Sequence, residues 1–231
     1  MKKERKPDIS QELFEQLCKV YKETEDHTLP AAKKYKKGET IYQEGQIPRG
    51  VFYLRSGLVK ITHDSYKKPV TIRYAISPDF VGYLSLLKHW DYVTTATAVD
   101  NCEVCFIPRN VFEKVIHCDN RSTNALIDIL CTRITDTDRE LLHMLTREVP
   151  ERLALLLLSL NHCKANEPGH IDGIITIPKK ELAAILNISA ETLSRNLSRL
   201  SKEKAIKVHN KKSIVEIISK QKLLHLSHLM D

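Results

Sequence analysis

Glu191, Ser194, Arg195, Ser198 and Lys202 recur at helical spacing on the face opposite Leu193, Leu197 and Leu200. Arginine can fork onto guanine O6 and N7, glutamate can accept from the cytosine amino group, and serine adapts to either partner. This face therefore carries the hydrogen-bonding types that read base edges. Ser189 stands where an N-cap belongs, with acidic Glu191 in the following turn. Upstream, Pro178 opens a shorter helix, Lys179 to Leu186, whose Leu182, Ile185 and Leu186 face inward, and Asn187 suits a left-handed turn between the two. Two short helices so joined make a helix-turn-helix. Downstream, Ile206 to His209 and Ser213 to Ile218 flank Asn210-Lys211-Lys212, a hairpin whose basic tip would rest on phosphates. A polar helix face or a lysine-tipped hairpin alone is ordinary solvated surface; their conjunction points to DNA. The residues expected to bind it are Ser189, Glu191, Thr192, Ser194, Arg195, Ser198, Arg199, Lys202, Lys211 and Lys212.

Charge agrees with that placement. The 231-residue chain carries a formal +7, and between Arg147 and Asp231 fourteen Lys and Arg stand against nine Asp and Glu. Within Arg195 to Lys212 seven basic residues face Glu203 alone. With 42% hydrophobic and 28% charged residues, wholesale disorder is excluded. The longest apolar run, Leu153 to Leu158, is far short of the roughly 20 residues a membrane span needs. The basic start, Met1 to Lys6, leads into no apolar stretch and so is not a secretory signal, which predicts a cytoplasmic protein.

The elements that must hold the reading face fall into three textures. Five of the seven glycines (Gly38, Gly45, Gly50, Gly57, Gly82) punctuate short β-rich runs such as Val51 to Leu54, Leu58 to Thr62 and Val70 to Ile76, continued by Thr95 to Val99 and Cys102 to Ile107. That pattern predicts a sandwich or barrel-like unit, with a helix over Ile9 to Tyr21 packed on it. From Arg121 to Arg147 glycine and proline vanish. Ile127, Ile134 and Leu141 occupy one heptad position and Leu130, Thr137 and Met144 another, a two-stranded seam with one polar break and a helix on the order of 40 Å long. The strict 3.5 period favours a homodimer over packing within one chain. The expected domains are residues 1–117 (β sensor), 118–147 (dimerisation helix) and 148–231 (DNA reading).

These motifs in combination resemble the Crp/Fnr transcription regulators, the family that includes the catabolite activator protein and the fumarate-nitrate reduction regulator. The resemblance runs from Tyr35 to Ile218. It is carried by Tyr35-Lys36-Lys37-Gly38-Glu39, Tyr42-Gln43-Glu44-Gly45, Phe52 to Lys60, Cys102 to Ile107, Glu151-Arg152-Leu153 and Glu191-Thr192-Leu193-Ser194-Arg195. It implies an α+β chain: an N-terminal cyclic-nucleotide-binding-like β-roll of jelly-roll type, a long dimerisation helix and a C-terminal winged helix-turn-helix. It further implies a homodimer on a palindromic double-stranded DNA site, no enzyme activity, and contact with RNA polymerase if the protein activates. Glu191, Ser194 and Arg195 resemble the base-contacting trio of the fumarate-nitrate type, and Ala190 replaces the catabolite activator's preceding arginine. The half-site implied is close to TTGA rather than TGTGA.

By the same resemblance the effector pocket would be lined by Gly82, Tyr83, Leu84, Tyr92, Val93 and Thr94, with Thr137 at the position that meets the purine across the dimer or else serving as a register-setting polar residue. Tyr83 stands where the family has its ribose glutamate and Tyr92 and Val93 where it has its phosphate arginine and serine. A buried phosphate without a cation is costly, so cyclic AMP is not the expected effector, and the effector stays unassigned.

Cofactor chemistry finds little to stand on. The six cysteines, at 18, 102, 105, 118, 131 and 163, read as reduced core thiols. Only Cys18 lies where the fumarate-nitrate regulator gathers its cluster ligands, and Cys102 and Cys105 fall on opposite faces of a strand, so no metal is expected. His63, His89 and His117 are conceivable haem ligands that no spacing singles out. No Gly-rich phosphate loop, HExxH or GxSxG element suggests an enzyme. The alternative from another class is a ligand- or partner-binding signalling module that does not bind DNA.

Overall fold

Alternation along one strand explains how the N-terminal half is layered. In β3 (Gly50–Ser56), Val51 and Tyr53 point to one side and Leu54 to the other, and both sides are buried. A strand at the centre of a sheet that is covered on both faces needs such a pattern. The computed structural model describes residues 9–24, 30–64, 69–164, 171–209 and 214–227. The chain divides into two units, Met1–Thr135 and Asp136–Asp231.

The first unit is a β-roll of two four-stranded antiparallel sheets. One has the order β1 (Ala32–Tyr35), β8 (Cys102–Pro108), β3, β6 (Asp79–Val81); the other β2 (Thr40–Tyr42), β7 (Thr95–Ala98), β4 (Leu58–His63), β5 (Val70–Ile76). The chain changes sheet at Gly57, whose φ is +97° and where a side chain would come within 2.7 Å of the Cys102 thiol. Between the sheets lie Tyr42, Leu54, Val59, Ala75, Val81, Tyr92, Ala96 and Val104. A second core covers the outer face of the first sheet. It packs Leu13 and Leu17 of α1 (Ile9–Thr24), Tyr83 and Leu86 of α2 (Tyr83–Lys88), and Val111, Phe112 and Val115 of α3 (Arg109–Cys118) onto Val51, Tyr53, Phe80 and Ile107.

α4 (Asn120–Thr146) sinks Ser122, Ala125, Leu126 and Ile129 into this unit. One turn later Arg133 is tied to buried Asp79, whose Oδ2 accepts from Arg133 Nη2 at 2.8 Å and from Arg73 Nη1 at 3.0 Å. Removing that carboxylate would leave two half-buried guanidiniums without their counter-ion. Not every cysteine is a core thiol. Cys102 and Cys105 are buried and Cys18 is half-buried, whereas Cys118, ending α3, and Cys131, just past the buried stretch of α4, are exposed.

The second unit contains α5 (Val149–Lys164), β9 (Ile174–Thr176), α6 (Lys179–Leu186), α7 (Ala190–Lys202), the hairpin β10 (Ile206–His209) and β11 (Ile214–Ile217), and α8 (Lys220–Leu226). The three strands form an antiparallel sheet ordered β10-β11-β9. Its core draws on Leu153, Leu157 and Leu160 of α5, Leu182 and Leu186 of α6, and Leu193, Leu197 and Leu200 of α7. Ile185, expected to face inward, is only half-buried, and Ala183 is buried in its place.

Candidate nucleic-acid interface

Two caps fix the angle between α6 and α7. Asn187 ends α6 in the left-handed region at φ 52°, its N–H returning to the Ala183 and Ala184 carbonyls. Ser189 then accepts the Thr192 N–H on its Oγ at 3.1 Å, satisfying an amide at the start of α7. Arg152 of α5 braces the bend by donating from Nη1 to the Leu186 carbonyl at 3.3 Å. A C-terminal carbonyl of α6 thereby gains a cationic partner.

With the angle fixed, burial sorts α7 by side. Leu193, Leu197 and Leu200 are inside; Glu191, Ser194, Arg195, Ser198, Arg199 and Lys202 are all exposed. Arg195 Nη2 donates to Glu191 Oε1 at 3.1 Å, and Arg199 Nε to Glu203 Oε1 at the same distance. Both pairs are exposed and one helical turn apart, so each holds its arginine extended at little cost to break. Thr192 differs from the other candidates: its hydroxyl lies 2.9 Å from Ser189 Oγ, so it serves the cap. A shallow hollow runs over Ser194, Arg195, Ser198, Arg199 and Lys202, and a second joins Ser194, Ser198 and Ser201 to Val208 of β10 and Lys179 of α6.

Lys179 is a residue that sequence reasoning missed. It and Lys180 are exposed in the first turn of α6, where the helix dipole disfavours cations, and that misplacement was the available signal. The wing strands pair Ile206 with Ile217 and His209 with Ile214, and His209 Nε2 sits 2.8 Å from Glu216 Oε2. Lys211 and Lys212, with Asn210, lie outside the described residues.

The candidate effector residues separate. Gly82, at φ +85°, turns the chain so that Tyr83 enters the helix-side core, whereas Tyr92 enters the core between the sheets. Tyr92 stacks on Tyr42 with ring centroids 4.1 Å apart and donates its hydroxyl hydrogen to the Gly50 carbonyl at 3.1 Å. Burial raises its pKa, so it stays a neutral donor. A side chain at position 82 would come within 3.2 Å of the Tyr92 ring. Leu84 and Val93 are exposed, and Thr94 is half-buried beside the Tyr42 hydroxyl. On α4, Ile127, Ile134, Leu141 and Met144 are about half exposed or more, and so are Leu142 and Leu145, which the heptad pattern had not included. Thr137 is exposed as well, while Leu130 is half-buried against its own unit's core. Among the described residues no cluster of three or more His, Cys, Asp or Glu could hold a metal, and no helix is long and apolar enough to cross a membrane.

Comparison with known proteins assigns both units. The cyclic nucleotide-binding domain family matches residues 32–119 and the Crp-like helix-turn-helix domain family residues 151–226. The cAMP-activated global transcriptional regulator CRP of Pasteurella multocida is 27% identical over 79% of this chain and 88% of its own. The transcriptional activator protein FnrA of Stutzerimonas stutzeri is 24% identical over 80% and 77%. In fold the chain resembles FixK2 of Bradyrhizobium japonicum, with a TM-score of 0.73 at 19% identity over 86% of this chain and 98% of that one. A signalling module without DNA binding is thereby set aside, and so is an enzyme. Built from a cyclic-nucleotide-type β-roll, a long helix and a Crp-like helix-turn-helix, the chain belongs to the Crp/Fnr family of DNA-binding transcription regulators.

Proposed function

We propose that the chain acts in the cytoplasm as a homodimer that recognises a palindromic DNA site with half-sites near TTGA, and that it does so without cyclic AMP. The observation that carries this reading is the division of α7 into a buried leucine face and an exposed face of Glu191, Ser194, Arg195, Ser198, Arg199 and Lys202. Glu191, Ser194 and Arg195 contact base edges. Ser189, Ser198, Arg199, Lys202, Lys211, Lys212 and the added Lys179 lie along the phosphates, while Thr192 holds the cap of the reading helix. Residues 148–231 read DNA, and residues 118–147 pair two copies through Ile127, Leu130, Ile134, Thr137, Leu141 and Met144. The exposed apolar stripe supports this, because a monomer in water gains nothing from displaying it. A two-fold dimer puts its reading helices about 34 Å apart, in successive major grooves.

For residues 1–117 the reading departs from the Pasteurella relative, whose name gives activation by cAMP. Tyr42 and Tyr92 stack in the space between the sheets, and neither tyrosine at 83 or 92 supplies a cation for a phosphate. Any effector is therefore uncharged or aromatic there, and an activating dimer meets RNA polymerase without a cyclic nucleotide. Fluorescence anisotropy with a palindromic duplex, a single half-site and a scrambled duplex tests the proposal, with and without cyclic AMP. The palindrome should bind tightest, with affinity falling as salt rises and unchanged by the nucleotide. Equal affinity for palindrome and scrambled duplex, or a large gain on adding cyclic AMP, contradicts it.

A further inference from the structure

Cys102 and Cys105 have the spacing of a redox pair, but β8 sends them to different cores, Cys102 between the sheets and Cys105 beneath the helices. The fold gives Cys105 another neighbour. Its partner across the β3–β8 ladder is Tyr53, and the ring of Phe14 on α1 stacks on Tyr53 with centroids 3.9 Å apart and planes 10° from parallel. Cys18 follows Phe14 by four residues on α1, hence on the same face one turn along. Arg55 completes the group. It is the extra residue where the β3–β8 register shifts between Leu54 and Ser56, and its positive charge acts on the Cys105 thiol. The Cys18 thiol feels the charge of Cys105, and both thiols feel Arg55.

We propose that Cys18 and Cys105 are a redox-sensitive pair, which a low-molecular-weight disulfide oxidises to an intramolecular disulfide that clips α1 to β8, with Arg55 supporting the closing thiol. Half-buried Cys18 is the point of entry, and wholly buried Cys105 the resolving residue. The Cys18 thiol loses its proton to water and its thiolate attacks one sulfur of the small disulfide. That S–S bond breaks, and the departing thiolate takes up a proton. Cys105, deprotonated beside the Arg55 guanidinium, then attacks the Cys18 sulfur and expels the second small thiol. One disulfide is consumed and two thiols are released, and the two electrons come from the protein's pair of thiols. Burial pushes the Cys18 thiol up to about 11, with the neighbouring Cys105 adding to the rise. Burial likewise raises Cys105, while Arg55 pulls it back. Such thiols are slow to react and poor leaving groups, so the clip closes slowly and reopens slowly.

Peptide mapping tests this on the full chain, with Cys118→Ser and Cys131→Ser removing the two exposed competitors among the described residues. After incubation with bis(2-hydroxyethyl) disulfide and digestion without reductant, the main product should be a peptide joining Cys18 to Cys105. Cys18→Ser should abolish it and leave Cys105 unmodified. In Arg55→Gln the hydroxyethyl adduct on Cys18 should accumulate and the linked peptide fall severalfold, which a merely structural Arg55 would not produce. A stable adduct on Cys18 with no cross-link while Arg55 is present, no reaction at Cys18 at all, or links to Cys102 or Cys163 instead would each overturn the proposal.

Discussion

Replacing Arg195 with alanine separates reading from folding. Its side chain is 72% exposed, and its bond to Glu191 at 3.1 Å is a surface pair one turn apart, which contributes about 0.3–0.5 kcal/mol. The melting temperature of the variant should therefore move by no more than about 3 °C. A fork onto guanine is worth about 1–3 kcal/mol, and a two-fold complex loses it twice, about 2–6 kcal/mol in all. That is a fall in affinity for the palindrome of about 30-fold at the least and above 10⁴-fold at the most. Scrambled DNA should lose far less, because there Arg195 supplies only charge. Arg195→Lys refines the argument: it keeps the charge but not the planar fork, so it should retain non-specific binding and still lose discrimination. Competition anisotropy against duplexes substituted at single guanines reads both quantities. If palindrome and scrambled DNA weaken equally, Arg195 is a phosphate contact. If the melting point falls by ten degrees, the residue is structural.

Ile134→Glu places a carboxylate in the middle of the α4 stripe and should give monomers with weak operator binding. Sedimentation velocity decides, and a dimer of undiminished affinity would remove the seam. Leu197→Ala empties a buried position of α7 and should cost about 2–5 kcal/mol in the second unit, read as a lowered thermal midpoint; a loss under half a kilocalorie would mean that α7 is not packed as described. Alkali should destabilise the first unit. Burial holds Cys18 at about 11 and Cys102 at about 12 against an ordinary 9.0, so the unfolded chain sheds these protons first. Their contribution is whole below pH 9 and is lost as pH rises through 11 to 12; a stability flat across that range, followed by circular dichroism, would contradict the assignment.

The helix-turn-helix was legible because its signals are local. Leu193, Leu197 and Leu200 repeat with the helical period, and Asn187 and Ser189 punctuate it. The β-roll was legible as a class through its spaced glycines. What escaped depends on long-range placement or on short elements. β9 is three residues and α8 seven, too brief for periodicity to speak. The resemblance assigns Tyr83 and Tyr92 to one pocket, yet the left-handed turn at Gly82 puts them in separate cores, which no spacing rule conveys. Cys131 looked like a core thiol because sequence gives no sign that the fully buried stretch of α4 ends at Ile129. The neighbourhood of Cys18 and Cys105 is further still from local, since 86 residues of chain separate them.

The strand order of the β-roll also governs how the chain is made. Ala32 lies opposite Cys105, and Thr40 opposite Thr97, so the first two described strands of the roll are paired by its last two. At roughly 5–20 residues per second, β1 waits on the order of ten seconds before its partner exists. Such closure is slow even in a finished chain, because the loop entropy must be met before the contacts form. During that interval Tyr35 and Tyr42 are exposed to other nascent chains. Lys33, Lys34, Lys36 and Lys37 flank Tyr35, and a lysine-rich edge repels the edge-to-edge pairing that a waiting strand invites. The lysines on the rim of the finished sheet are thus expected to discourage mispairing during synthesis, and neutralising them should lower soluble yield while leaving the melting point of the folded fraction almost unchanged.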